Sequence, residues 1–241
     1  MPELFLVSTL AGLATGLGGL IACFIRKPQP FLVAIFLGFA AGVMVAVTGF
    51  DLIPSALFLG GAGRTGLGVA LGLFILWLLD KIIPHHGTNG DEGRYSPERW
   101  KKIGIFIAAG IALHNFPEGL AIGAGYFAAE SLGTVIALAI AFHNVPEGMA
   151  TALPLRLGGM SVGGIVLVTS LAGYVTPLGT YLGTILYGIS EYFISFSLAF
   201  AGGAMLYIVG DELLPSCNRY HKIFGYLGIL VGFAVTMLVS L

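Results

Sequence analysis

Two hexapeptides carry residue types that could do chemistry: His114-Asn115-Phe116-Pro117-Glu118-Gly119 and His143-Asn144-Val145-Pro146-Glu147-Gly148. They agree at five of six positions and lie 29 residues apart. Within each, His and Glu are four residues apart, which on a helix puts them on one face about a turn apart. Two such faces opposed at one depth would offer two imidazoles and two carboxylates. That N₂O₂ set suits Zn²⁺, and a divalent ion would cancel both carboxylate charges.

The surroundings sharpen this reading. Both motifs sit midway along apolar stretches, where an unpaired acidic group costs about 2.5–3.5 kcal/mol even on the lenient insertion scale. No Lys or Arg lies at that depth in either stretch to offset it. A single buried His is by default a satisfied core group, but two copies with ligand types at ligand spacing argue against that default. Pro117 and Pro146 cannot donate to the carbonyls of Leu113 and Phe142, so each helix is expected to bend there and present a polar carbonyl. Such irregularity is tolerated at membrane depth only where it faces protein or a water-filled cavity.

The elements that must position these motifs are membrane helices. Of 241 residues, 57% are hydrophobic and only 10% charged, against roughly a quarter charged in a soluble domain. A soluble surface cannot be built from so few charges. Apolar runs delimited by polar or Gly/Pro breaks predict eight helices, at 4–25, 31–59, 64–83, 101–126, 131–155, 160–187, 191–216 and 222–241. The first run is too long for a signal-peptide core and lacks a basic flank, so it is expected to stay as a span. Residues 84–99, PHHGTNGDEGRYSPER, read as a polar loop in an otherwise single transmembrane domain covering 1–241.

Ten of the eleven Lys and Arg fall in odd-numbered connections, and only Arg64 lies in an even one. The positive-inside rule then puts residues 84–99 in the cytoplasm and both termini outside, in a multi-pass protein of the inner membrane. No basic stripe suggests nucleic acid. Cys23 and Cys217 have no metal-ligand spacing and read as packing residues.

The chain also repeats. LAGLATGLG from Leu10 matches LAGYVTPLG from Leu171, and FAAGVM from Phe39 matches FAGGAM from Phe200, both at an offset of 161. The same offset aligns Asp51, Pro54 and Ser55 with Glu212, Pro215 and Ser216, while Leu67, Gly68 and Gly72 recur at 160. Repeat mates stand five steps apart in helix order (1 with 6, 2 with 7, 3 with 8), so helices 1–3 and 6–8 run in opposite senses around a central pair, a 3+2+3 plan. Inverted repeats of this kind typify secondary transporters, with the substrate site near the midplane between the halves.

The pair HNFPEG and HNVPEG on consecutive helices resembles the ZIP family of metal transporters, and within it the bacterial zinc-uptake branch. The resemblance covers essentially the whole chain. It implies Zn²⁺ movement into the cytoplasm by elevator-like or rocking alternating access, with tolerance for Fe²⁺, Mn²⁺ or Cd²⁺. It makes His114, Glu118, His143 and Glu147 the ligands and Asn115 and Asn144 accessory oxygens. One departure stands out: many relatives carry Glu before the Pro of helix six, where this chain has Thr176-Pro177.

Asp51 and Glu212, related by the repeat, are candidates for handing ions to and from the midplane, with Asp211 and Thr176 beside that path. His85 and His86 in the loop could receive released metal, although two histidines alone more often mark a solvated loop. His221 reads as structural. The expected partners are divalent ions, as substrate rather than cofactor, and the bilayer, with a homodimer as the candidate assembly.

The rival reading is an intramembrane zinc-dependent hydrolase, which would also bury His and acidic ligands. The chain lacks HExxH, and it also lacks the GxxxxGK[ST] of an ATP-driven pump, so an enzyme is not expected.

Overall fold

A computed structural model describes residues 2–24, 29–82, 96–128, 130–186 and 191–239. His85 and His86 lie outside them. Among the described residues the regular structure is entirely helical: α1 (Pro2–Cys23), α2 (Pro30–Val47), α3 (Ile53–Ile82), α4 (Pro97–Ala128), α5 (Glu130–Leu157), α6 (Val162–Leu186), α7 (Glu191–Ile208) and α8 (Leu214–Val239). Local chemistry sets several ends. Ser96 caps α4 by accepting the Arg99 amide at 3.3 Å, with Pro97 at the first helical position. Ser161 accepts the Gly164 amide at 3.2 Å at the start of α6. Gly159, at φ 77°, closes the end of α5 as only glycine does easily.

Short π-helical segments join α2 to α3 at Thr48–Leu52 and α7 to α8 at Val209–Leu213. The helical runs long and apolar enough to cross a bilayer number six among the described residues. Two of them, Pro30–Ile82 and Tyr192–Leu238, span 53 and 47 residues, far beyond the ~20 a bilayer requires. Each contains one non-helical residue, Gly61 (φ 72°, ψ 172°) and His221 (φ −167°, ψ 101°). The π segments recur at the repeat offset of 161, and the two breaks recur at 160. The repeat in sequence is therefore a repeat in backbone conformation as well.

The packing is inside-out relative to a soluble bundle. On α1, Leu6, Leu10 and Leu17 are exposed while Ser8, Ala11, Gly12, Thr15 and Gly16 are buried. Small residues let membrane helices approach closely, and large ones meet the acyl chains. α1, α4, α5 and α6 pack into one bundle, and α2 with α8 and α3 with α7 form the main contacts of a second. α4 meets α7, and α2 meets α5, where the bundles join.

The contacts obey the same two-fold relation. A Cβ on Gly12 would strike the carbonyl of Gly173, and one on Gly173 would strike that of Gly12. Gly72 abuts the Phe200 carbonyl as Gly232 abuts that of Phe39, again repeat mates.

Candidate metal centre

α4 and α5 run helically through Pro117 and Pro146, and they pack against each other. Glycine closes the outer flanks: Gly119 sits on the Thr176 carbonyl of α6, and Gly148 on the Thr15 carbonyl of α1. A side chain at either glycine would push α4 from α6 or α5 from α1. Close contact on those flanks turns His114 and Glu118 of α4 towards His143 and Glu147 of α5.

The four chemical groups meet crosswise. His114 Nε2 lies 3.1 Å from Glu147 Oε2, and His143 Nε2 lies 3.1 Å from Glu118 Oε1. All four are buried: His114 is 0% exposed, Glu118 and Glu147 1%, and His143, the most accessible, 8%. Each contact needs a proton on one partner, so the two pairs together hold protons that an incoming cation must displace. Among the described residues no three His, Cys, Asp or Glu side chains form a ready-made metal cage. The four groups engage one another instead.

The asparagines are held by the same symmetry. Asn115 Nδ2 donates to the Ala172 carbonyl at 3.0 Å, and Asn144 Nδ2 donates to the Ala11 carbonyl at 2.9 Å. Ala11 and Ala172 are repeat mates. With Nδ2 committed, Asn115 Oδ1 and Asn144 Oδ1 are buried without a hydrogen-bond partner, as are Glu118 Oε2, Glu147 Oε1, Thr15 Oγ1 and Thr176 Oγ1. Six oxygens that lack a proton donor are costly in a dry interior unless a cation or water faces them. Thr15 is absent from the sequence-derived site, although applying the 161-residue offset to Thr176 finds it.

The flanking carboxylates fall at the two π segments, where helices often carry functional irregularity. Asp51 is exposed and acts electrostatically on His143. Glu212 is 3% exposed and lies within electrostatic reach of Asp211, Asp80 and Arg99, with Tyr207 hydrogen-bonded to Asp80 in the same cluster. Asp80, Arg99 and Tyr207 had no signal in the ligand motifs; they are joined to Glu212 by helix packing alone.

Long apolar helices enclosing four buried His and Glu side chains define a multi-pass membrane protein. The family described as ZIP Zinc transporter matches residues 85–240. Curated relatives extend the match to nearly the full chain. The zinc transporter ZupT of Chlorobium luteolum is 36% identical over 97% of this chain and 95% of its own length. ZupT of Streptococcus mutans is 32% identical over 97% and 96%, and the zinc transporter GufA of Myxococcus xanthus is 34% identical over 88% and 87%. The chain belongs to the ZIP family, whose members are transporters, and it is not an enzyme.

Proposed function

We propose that this protein takes up divalent metal ions, Zn²⁺ foremost, through a midplane site formed by His114, Glu118, His143 and Glu147, with Asn115 and Asn144 as neutral oxygen donors. The reciprocal His–Glu pairing carries this reading: two nitrogen and two carboxylate ligands share one buried locus, and four of the six unpartnered oxygens belong to the same two helices. Two imidazole nitrogens with two carboxylates fit Zn²⁺ in tetrahedral ligation. The metal is cargo, so the ligands release protons when it binds and regain them when it leaves.

The two long helical runs each count as two spans, divided at Gly61 and His221, giving eight spans in a 3+2+3 inverted repeat. The shared offset of the π segments, the breaks and the glycine contacts supports this count. Ten of eleven basic residues then lie on the cytoplasmic side of the inner membrane, with both termini outside. In that orientation Asp51 lies towards the outer face and Asp211 with Glu212 towards the cytoplasm, at opposite ends of the ion path. Thr176 lies beside the site. His85 and His86 belong to the cytoplasmic loop 84–99 and are placed only by sequence.

A proteoliposome assay with an internal metal-sensitive dye tests the proposal. Zn²⁺ uptake should exceed background, with Fe²⁺, Mn²⁺ and Cd²⁺ ranked beside it. Purified protein that binds Zn²⁺ but never moves it would reduce the site to a sensor.

A further inference from the structure

On the face of α4 turned away from His114 and Glu118, the two bundles leave a groove of about 680 Å³. That size is typical of small-molecule sites, roughly 300–1,000 Å³. Its walls are almost wholly apolar, dominated by Leu113 and Phe116 of α4 and Phe193, Phe196 and Phe200 of α7. Phe193 is 44% exposed, so that end opens outward rather than into the core. Beside it on α7, Tyr192 carries the Arg64 guanidinium 3.8 Å above its ring. Arg64 Nη1 donates to the Gly60 carbonyl at 3.2 Å, which fixes the guanidinium at the turn made by Gly61.

The repeat shows what this cation is not for. The mates of Arg64 and Tyr192 are Phe224 and Phe31, which pack on each other at a ring separation of 5.4 Å. The same junction between helices is thus built elsewhere from two phenylalanines, so packing does not require a charge. The charge is an addition at one groove mouth. An exposed guanidinium retains N–H donors in a fork that matches a phosphate, and it stands on an aromatic of the type enriched at membrane interfaces.

We propose that this groove binds one phospholipid from the bilayer, its acyl chain lying along Phe116, Phe196 and Phe200 and its phosphate held by Arg64. The occupant would sit between the bundles, one helix away from the metal ligands. The inference needs only the membrane setting and does not rest on the transport reading.

Native mass spectrometry of the full chain in mild detergent with added dioleoylphosphatidylglycerol provides the test, with dioleoylglycerol as the probe lacking phosphate. One phosphatidylglycerol should survive activation on the wild type, and Arg64→Gln should lower the retained fraction at least about threefold while Arg64→Lys restores part of it. Ala112→Phe with Ser197→Phe, which fills the groove, should remove retention. Dioleoylglycerol should bind weakly and be indifferent to Arg64→Gln. Unchanged gel-filtration profiles check that the variants fold. Retention insensitive to groove filling would mean annular lipid only and overturn the proposal. Groove filling that removes the lipid while Arg64→Gln changes nothing would overturn the phosphate contact.

Discussion

The repeat pairs one carboxylate-bearing π segment, Thr48–Leu52, with another, Val209–Leu213, and the two carboxylates have different fates. Asp51 is exposed and acts on His143, the ligand with 8% of its surface accessible. Its mate Glu212 is 3% exposed. Glu212 sits with Asp80, Asp211 and Arg99. α7 also packs against α4 more extensively than its mate α2 packs against α5. The His–Glu pairing is reciprocal while the two flanking carboxylates are not equivalent: one is exposed and the other is buried among charged neighbours.

The largest expected effect tests the symmetry of the centre itself. Removing one partner of a buried pair leaves the other charge uncompensated, at a cost of roughly 3–5 kcal/mol. His114→Ala and His143→Ala should therefore both abolish Zn²⁺ uptake, as should Glu118→Ala and Glu147→Ala, at equal membrane protein levels. Wild-type uptake in any of the four removes the central claim. A large difference between the two histidines would show that the centre is as lopsided as the two carboxylates that flank it.

Acidification comes next. Metal binding requires neutral imidazole, whose ordinary pKa is about 6.5, and ionised carboxylate. Zn²⁺ affinity in detergent should fall as pH drops from about 8 to about 5, approaching tenfold per unit for each proton displaced. A flat profile would argue against histidine ligation. Uptake rate is a weaker readout, because a proton gradient can itself drive transport.

How the sequence carried these features depends on their range. The paired hexapeptides and the long apolar helices were legible because intervals of four residues and runs of twenty are local. The offset of 161 was legible too, and the π segments confirm it by recurring at the same interval. The crosswise pairing of His114 with Glu147 was not, because it depends on how α4 rotates against α5. Nor was the partnership of α2 with α8 and α3 with α7: helices apolar on every side carry no stripe that names a neighbour. The π segments themselves left no mark in composition. Asp80 and Arg99 join Glu212 only through tertiary packing, so no motif could have collected them.

The unequal burial of Asp51 and Glu212 predicts unequal variants of smaller size. Asp51→Asn should raise the Zn²⁺ concentration for half-maximal uptake several-fold with little change in maximal rate, because an exposed carboxylate gathers ions electrostatically. That effect should shrink as salt rises. Glu212→Gln should lower the maximal rate instead, since Glu212 is buried beside Asp80, Asp211 and Arg99 rather than exposed to incoming ions. Interchangeable phenotypes would erase the distinction between the two sides.

The smallest effect concerns Thr15 and Thr176, repeat mates whose hydroxyl oxygens are both buried without a partner. A second ion beside the first would bring two more positive charges, yet Thr15, Thr176, Asn115 and Asn144 supply dipoles without charge, and Glu118 and Glu147 are committed to the first. Two divalent ions on two carboxylates would leave about two charges uncompensated in a low-dielectric region. The centre should accordingly bind one Zn²⁺ per chain, measured by metal analysis of dialysed protein with His85 and His86 replaced. Thr176→Val should leave that stoichiometry unchanged and shift affinity by no more than about tenfold, the scale of one hydrogen bond of about 0.5–1.5 kcal/mol. Thr15→Val should match it. Thr176→Glu, by contrast, offsets one of those two charges and should strengthen binding of a second ion beside it. Two tightly held ions in the unaltered protein would mean that another acid reaches the centre, and Asp51, already within reach of His143, would be the first to test.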